Sequence, residues 1–173
     1  SEAEGLPRGR YLHRARSLDS LMIKLAHKLL CLVFGGGFLV AADQFMKYLI
    51  WPEPFRSPVI PADQYWWLTQ HQNYGISFGI ELPYYLSVGL MSVFLLLLLW
   101  LFFQRSTSRL AMELGLILSI AGGLSNLIDR INLGFVRDFV TLSFWLPIFN
   151  VADVLVVSGV LLILIETYRH GRT

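Results

Sequence analysis

Charge is what this 173-residue chain has little of: only 15% of its residues are Asp, Glu, Lys or Arg, against roughly a quarter in an ordinary soluble domain. With 55% hydrophobic residues and a mean hydropathy of +0.57, the deficit points to a membrane protein. Cysteine is nearly absent. The single Cys31 lies in an apolar stretch, which excludes an internal disulfide and a cysteine-rich metal site. Histidine is scarce, with three of the four in the N-terminal arm, its junction or the C-terminal tail and no His-Glu-x-x-His, so neither metal nor other cofactor is expected. No Gly-x-Ser-x-Gly elbow supplies a serine nucleophile. The basic residues form no stripe beside stacking aromatics, which argues against a nucleic-acid partner. Gly35 to Gly37 and the pair Gly122 and Gly123 follow no strand of a βαβ unit and are read as close helix packing rather than phosphate binding.

What the chain does have is four apolar stretches long enough to cross about 30 Å of hydrocarbon, which takes roughly 20 helical residues. They run from Leu29 to Trp51, Tyr84 to Phe103, Leu110 to Ile128 and Leu146 to Ile165. The second contains no charge, and its hydroxyls can bond back to their own helix. Four such segments are too many for the buried helices of so small a soluble core. A basic region before the first stretch admits a cleaved signal sequence, but Asp43 and Lys47 lie in its second half and no small-x-small site follows cleanly. The expected fold is an all-α polytopic membrane protein with four transmembrane helices. Residues 1–25 form a polar cytoplasmic arm, with Ser1 to Ser20 expected to be disordered, and 26–173 form the membrane domain.

Lys24 and Lys28 precede the first span, Arg105 and Arg109 link the second and third, and Arg169 and Arg172 follow the fourth. The positive-inside bias then places both termini in the cytoplasm and the two other links outside. Arg56, Arg130 and Arg137 oppose that bias, and Arg130 and Arg137 adjoin acidic residues that can pair with them locally. The outer insert, 52–83, carries four prolines in its first half, which prevent a regular helix there. It continues into YWWLTQHQNYGISFGI, with the aromatic and β-branched content of a short sheet. Tyr65, Trp66, Trp67 and Phe78 suit the headgroup level.

An intramembrane Asp costs roughly 2.5 to 3.5 kcal/mol on insertion scales and so needs a partner or a purpose. Asp43 and Lys47 are four apart on one helical face and are expected to pair. Asn126 with Asp129 closes the third span, and Asn150 with Asp153 opens the fourth. Each Asn-x-x-Asp spacing places both side chains on about one helical face, and antiparallel neighbours bring the two ends together. Asp138 adds a carboxylate on the intervening link, fifteen residues before Asp153. Two carboxylates sharing a proton can act as general base and general acid without a metal or covalent nucleophile. Spacing alone does not choose between Asp129 and Asp138. It favours a membrane protease or other hydrolase over an ion or proton transporter, which also uses intramembrane carboxylates.

Taken together, the motifs resemble those of the lipoprotein signal peptidase (signal peptidase II) family of membrane aspartyl proteases. The resemblance is carried by Asp43 and Lys47 in DQFMK, Asn73 and Gly75 in QNYGISF, GGLSNLIDR with Asn126, Asp129 and Arg130, VRDF with Asp138, and FNVAD with Asn150 and Asp153. It covers roughly Gly37 to Ile165. It implies four transmembrane helices, cytoplasmic termini, an extracytoplasmic β-structured cradle and location in the bacterial inner membrane. The implied reaction removes the signal peptide of a prolipoprotein before its diacylglyceryl cysteine, with Asp138 and Asp153 as the catalytic pair. Asp43, Lys47, Asn73, Gly75, Asn126, Asp129, Arg130 and Asn150 match supporting or substrate-binding positions, with Arg130 expected to satisfy Asp129. The implied partners are the prolipoprotein and membrane lipids, and a monomer is the working expectation. Ser125 stands where the family usually has Gly, Tyr74 follows Asn73 in place of a small polar residue, and the link from Asp138 to Asp153 is somewhat short.

Overall fold

The computed structural model describes the backbone of residues 8–17 and residues 18–51, 65–75, 80, 82–104, 109–142 and 147–171 in full. Elements in chain order are α1 (Arg8–Leu30), a π-helical stretch (Cys31–Gly36), α2 (Gly37–Ile50), β1 (Leu68–Asn73), α3 (Tyr84–Gln104), α4 (Leu110–Leu133), β2 (Val136–Val140) and α5 (Val151–His170). Among the described residues, four helical segments have the length and composition to cross a membrane: Leu18–Ile50, α3, α4 and α5. Much of the insert, including Arg56, Phe78 and Gly79, lies outside the described residues, as do Arg105 and Arg172.

The boundaries depart from the sequence expectation where local chemistry overrides hydropathy. Helix begins at Arg8, not Leu29, and runs through the π stretch into α2 without a break, so the part of the arm from Arg8 onward is helical. Helix α4 continues past Ile128 to Leu133 and ends at Gly134, whose φ of 84° is left-handed and whose amide donates to the Arg130 carbonyl. Glycine takes that conformation without the Cβ clash that other residues meet. The last helix starts at Val151, not Leu146, because Asn150 caps it. The Asn150 side chain accepts from the Asp153 amide, and the Asp153 side chain accepts from the Asn150 amide, satisfying two otherwise orphaned donors.

Helices α4 and α5 make the closest contact, and small residues explain it. Gly115, Ser119 and Gly122 recur at helical spacing on α4, and Gly159 and Ala152 answer them on α5. A Cβ on Gly159 would collide with Ser119 and with the Gly115 carbonyl, and one on Gly122 with the Ala152 carbonyl. Small residues let membrane helices approach at backbone distance. Continued by one turn at the same spacing, this α4 stripe reaches Asn126. The face that packs most tightly therefore delivers a polar residue to the mouth of α5.

Away from that face, Leu95, Leu98 and Phe102 of α3 pack with Met112, Leu116, Ile117, Ile120 and Leu127 of α4. At the end of the bundle opposite Asn126, Lys28 lies 4.0 Å from Glu113 and donates to the Phe102 carbonyl at 2.8 Å, joining three helices. A cavity of about 760 Å³, lined by Cys31, Phe34, Phe38, Glu113, Leu114 and Ile117 among others, lies beside the π stretch, and Asp43, Asp129, Asp138 and Asp153 take no part in its lining.

Strands β1 and β2 pair antiparallel, with Leu68 opposite Val140, His71 opposite Asp138 and Asn73 opposite Val136, the register shifting between Leu68 and His71. Ile50, Leu68 and Phe139 are buried beneath the pair. The chain then folds back: Phe139 and Val140 amides donate to the Phe149 carbonyl, and the Phe149 amide returns a bond to Val140. Asn150 is thus seated beside Asp138 by backbone pairing.

Candidate active site

Asp43 and Lys47 project from the last turns of α2 into the bundle and are fully buried. As the i, i+4 spacing predicts, Lys47 Nζ lies 2.7 Å from Asp43 Oδ2. It also reaches Asp129 Oδ2 at 3.1 Å and Asn126 Oδ1 at 3.0 Å, so its three N–H donors each have an acceptor. Asp43 accepts from Ser125 Oγ at 2.7 Å and from the Ala152 amide at 2.9 Å. The second contact places a carboxylate at the amino end of α5, where free N–H groups and the helix dipole favour negative charge.

Around Asn126 and Asn150 the site closes. Because Asn126 Oδ1 faces Lys47 and also accepts from Asn150 Nδ2 at 3.1 Å, its amide nitrogen is turned to Asp153 Oδ1, 2.8 Å away. Asn150 donates through Nδ2 to Asp138 Oδ1 at 2.6 Å, while its backbone amide donates to Asp153 Oδ2 at 3.1 Å. Asn73 Nδ2 completes Asp138, donating to Oδ2 at 2.8 Å, and Asn73 Oδ1 accepts from the Gly75 amide. Asp138 and Asp153 are thus held by one asparagine between them and by one further amide each.

Asp138 is fully buried and Asp153 half-buried. Burial pushes the Asp138 carboxyl up to about 7, and the Asp153 charge pushes the same way. Asn73, Asn150 and Lys47 oppose them without cancelling them. A carboxyl in that range accepts and releases a proton near neutrality, which suits a group cycling between acid and base. Asp129 is set apart by its cations, since Lys47 and Arg137 both contact it.

The expected pairing of Arg130 with Asp129 is not made. Arg130 donates to the carbonyls of Tyr74 and Gly75, both at 2.6 Å, tying α4 to the end of β1. Asp129 instead accepts from the Arg137 guanidinium at 2.7 Å, the Arg137 amide at 3.0 Å and Gln44 at 3.0 Å. The reason is geometric: consecutive helical residues point about 100° apart, so Asp129 and Arg130 address different neighbours. The same holds in β2, where alternation turns Arg137 away from Asp138. Sequence reasoning therefore missed Arg137 as a site residue, along with Gln44 and Ser125. Strand alternation was the signal available for Arg137. Gln44 and Ser125 neighbour the named polar residues in DQFMK and GGLSNLIDR but carry no charge to mark them. Every other supporting residue named from the sequence is present in the cluster or, for Gly75, at its edge.

Fold and site together define an integral membrane protein with a pair of carboxylates in a polar centre at one end of its helix bundle. Residues 25–169 match the signal peptidase (SPase) II family. The chain is 31% identical over 147 residues to the lipoprotein signal peptidase of Bartonella tribocorum, covering 82% of this chain and 88% of that one. It is 37% identical over 138 residues to the lipoprotein signal peptidase of Halothermothrix orenii, covering 78% and 92%. A bacterial membrane enzyme solved by the in meso method at 2.3 Å resolution superposes with a TM-score of 0.67 at 31% identity, over 80% of this chain and 87% of that one. The chain belongs to the signal peptidase II family. That membership settles the choice left open between peptidase and transporter: the chain is a multi-pass membrane peptidase of the bacterial inner membrane.

Proposed function

We propose that this chain removes the signal peptide from diacylglyceryl-modified prolipoproteins, with Asp138 and Asp153 as the catalytic pair at the outer face of the inner membrane. The observation that carries the reading is the shared asparagine. Asn150 donates to Asp138 through its side chain and to Asp153 through its backbone, so one residue fixes the orientation of both carboxylates. The relatives are lipoprotein signal peptidases, which supports the substrate class.

One carboxylate takes a proton from a water lying between the two as that water attacks the scissile carbonyl. The protonated partner donates to the carbonyl oxygen, and the roles reverse as the amine leaves. A single shared proton keeps two like charges from facing each other in a partly dry site. Asn126 and Asn150 hold the carboxylates, Asn73 covers Asp138 from β1, and Arg130 holds the Tyr74–Gly75 backbone in place.

The loop-side placement of Asp138 supports a reaction at the membrane surface, where the signal helix lies among the apolar helices and the acyl chains stay in lipid. Exposed Tyr65, Trp66 and Trp67 fit the headgroup level on that side. The flanking Lys and Arg residues support cytoplasmic termini.

The test is cleavage of a synthetic prolipoprotein peptide in detergent, with diacylglyceryl-cysteine or with bare cysteine at the cleavage junction. Preferred cleavage before the lipidated cysteine is expected. Equal cleavage of both would remove the lipid from the recognition event.

A further inference from the structure

Among the described residues the cluster contains four carboxylates, Asp43, Asp129, Asp138 and Asp153, and three fixed cations: Lys47 and Arg137, which contact carboxylates directly, and Arg130, which acts on Asp138 through space. One proton on the carboxylates makes that set neutral. Arg137 is the cation the sequence reading left out. Its guanidinium and its backbone amide together engage both oxygens of Asp129, while the guanidinium also donates to Gln44 Oε1 at 2.8 Å. With Asp129 satisfied from that side, Lys47 is shared with Asn126 and not drawn wholly to Asp129. The Asn126 amide is thereby kept with its nitrogen toward Asp153.

We propose that Arg137 is a positioning residue that fixes the pair Asp138 and Asp153 in its singly protonated state, acting through Asp129, Lys47 and Asn126. The inference rests on the reading of that pair as catalytic. Among the described residues, the charged and titratable groups around the pair are Asp43 and Lys47 from α2, Asp129 and Arg130 from α4, and Arg137 from β2. The exposed His71 lies opposite Asp138 on β1. Without the guanidinium the cluster gains one uncompensated negative charge and binds its proton more tightly, whereas without the Asp129 charge it binds that proton less tightly.

The experiment measures kcat and KM against pH with the full chain in detergent and a diacylglyceryl-cysteine peptide as substrate. Arg137→Gln is expected to move the profile of kcat/KM toward higher pH by about half a unit or more, with the loss of rate in kcat. Asp129→Asn is expected to move it toward lower pH. Arg137→Lys, which keeps the charge but not the planar fork, stays at the wild-type position with a lower kcat. The shift persists in a His71→Gln background. Profiles for Arg137→Gln and Asp129→Asn that superimpose on the wild type, or that move in the same direction, overturn the proposal. If Arg137→Gln does not fold, Arg137→Lys decides: a lower kcat at the wild-type profile position supports the proposal, and an unchanged kcat overturns it. Failure of the underlying reading looks different: the wild-type chain does not cleave the peptide, or Asp138→Asn cleaves it as well as the wild type does.

Discussion

Four aspartates meet within a few side chains of one another, and their partners divide the work. Asp43 and Asp129 face cations, so their charge is compensated, and their contacts join α2, α4, α5 and β2. Asp138 and Asp153 face amides, which orient a carboxylate without cancelling its charge. The difference has a measurable consequence for stability. An Asp with the ordinary value of 3.8 releases its proton well below the range of about 7 at which the folded Asp138 does so. Between those values the folded state binds more protons than the unfolded one, so stability falls as pH rises. The favourable contribution is complete below about pH 4 and gone above about pH 7. Thermal unfolding in detergent should show the wild-type midpoint declining over that window more steeply than that of Asp138→Asn. Equal slopes would show that Asp138 does not hold its proton in the folded chain.

The elements matter because no single one carries the site. The mouth of α5 is fixed by its contact with α4, and that contact depends on missing side chains. Gly159→Ala should lower stability by about 1 to 3 kcal/mol and reduce cleavage, since the added methyl meets the α4 backbone on the stripe that leads to Asn126. Gly35→Ala, which meets nothing within 4 Å, should leave both unchanged; detergent unfolding and peptide cleavage measure the pair. The same distinction explains what was legible beforehand. The four spans could be read because apolar length is a local property, and the Asp43 and Lys47 pair because i, i+4 contacts are local too. The pairing of β1 with β2 was not legible, since a ladder joining Leu68 to Val140 leaves no periodic trace across the intervening helices. The Arg130 assignment failed for a related reason, because adjacency in sequence separates side chains on a helix. The start of α5 was misjudged because hydropathy ignores the Asn150 cap.

At the scale of the whole molecule, the bundle places a polar centre at the end of four apolar spans, and the proposed function has a substrate that is itself part lipid reach it without leaving the interface. Each buried methylene contributes about 0.8 kcal/mol, and a few of them suffice for a large effect. Removing both acyl chains from the peptide should therefore lower kcat/KM by at least about a hundredfold, and comparison at matched detergent concentration checks it. The most direct test of the account replaces each member of the carboxylate pair in turn. Asp138→Asn and Asp153→Asn, compared with the wild type at equal amounts of folded protein, should each abolish cleavage of the lipidated peptide while unfolding in detergent as cooperatively as the wild type. Wild-type cleavage by either variant would contradict the account.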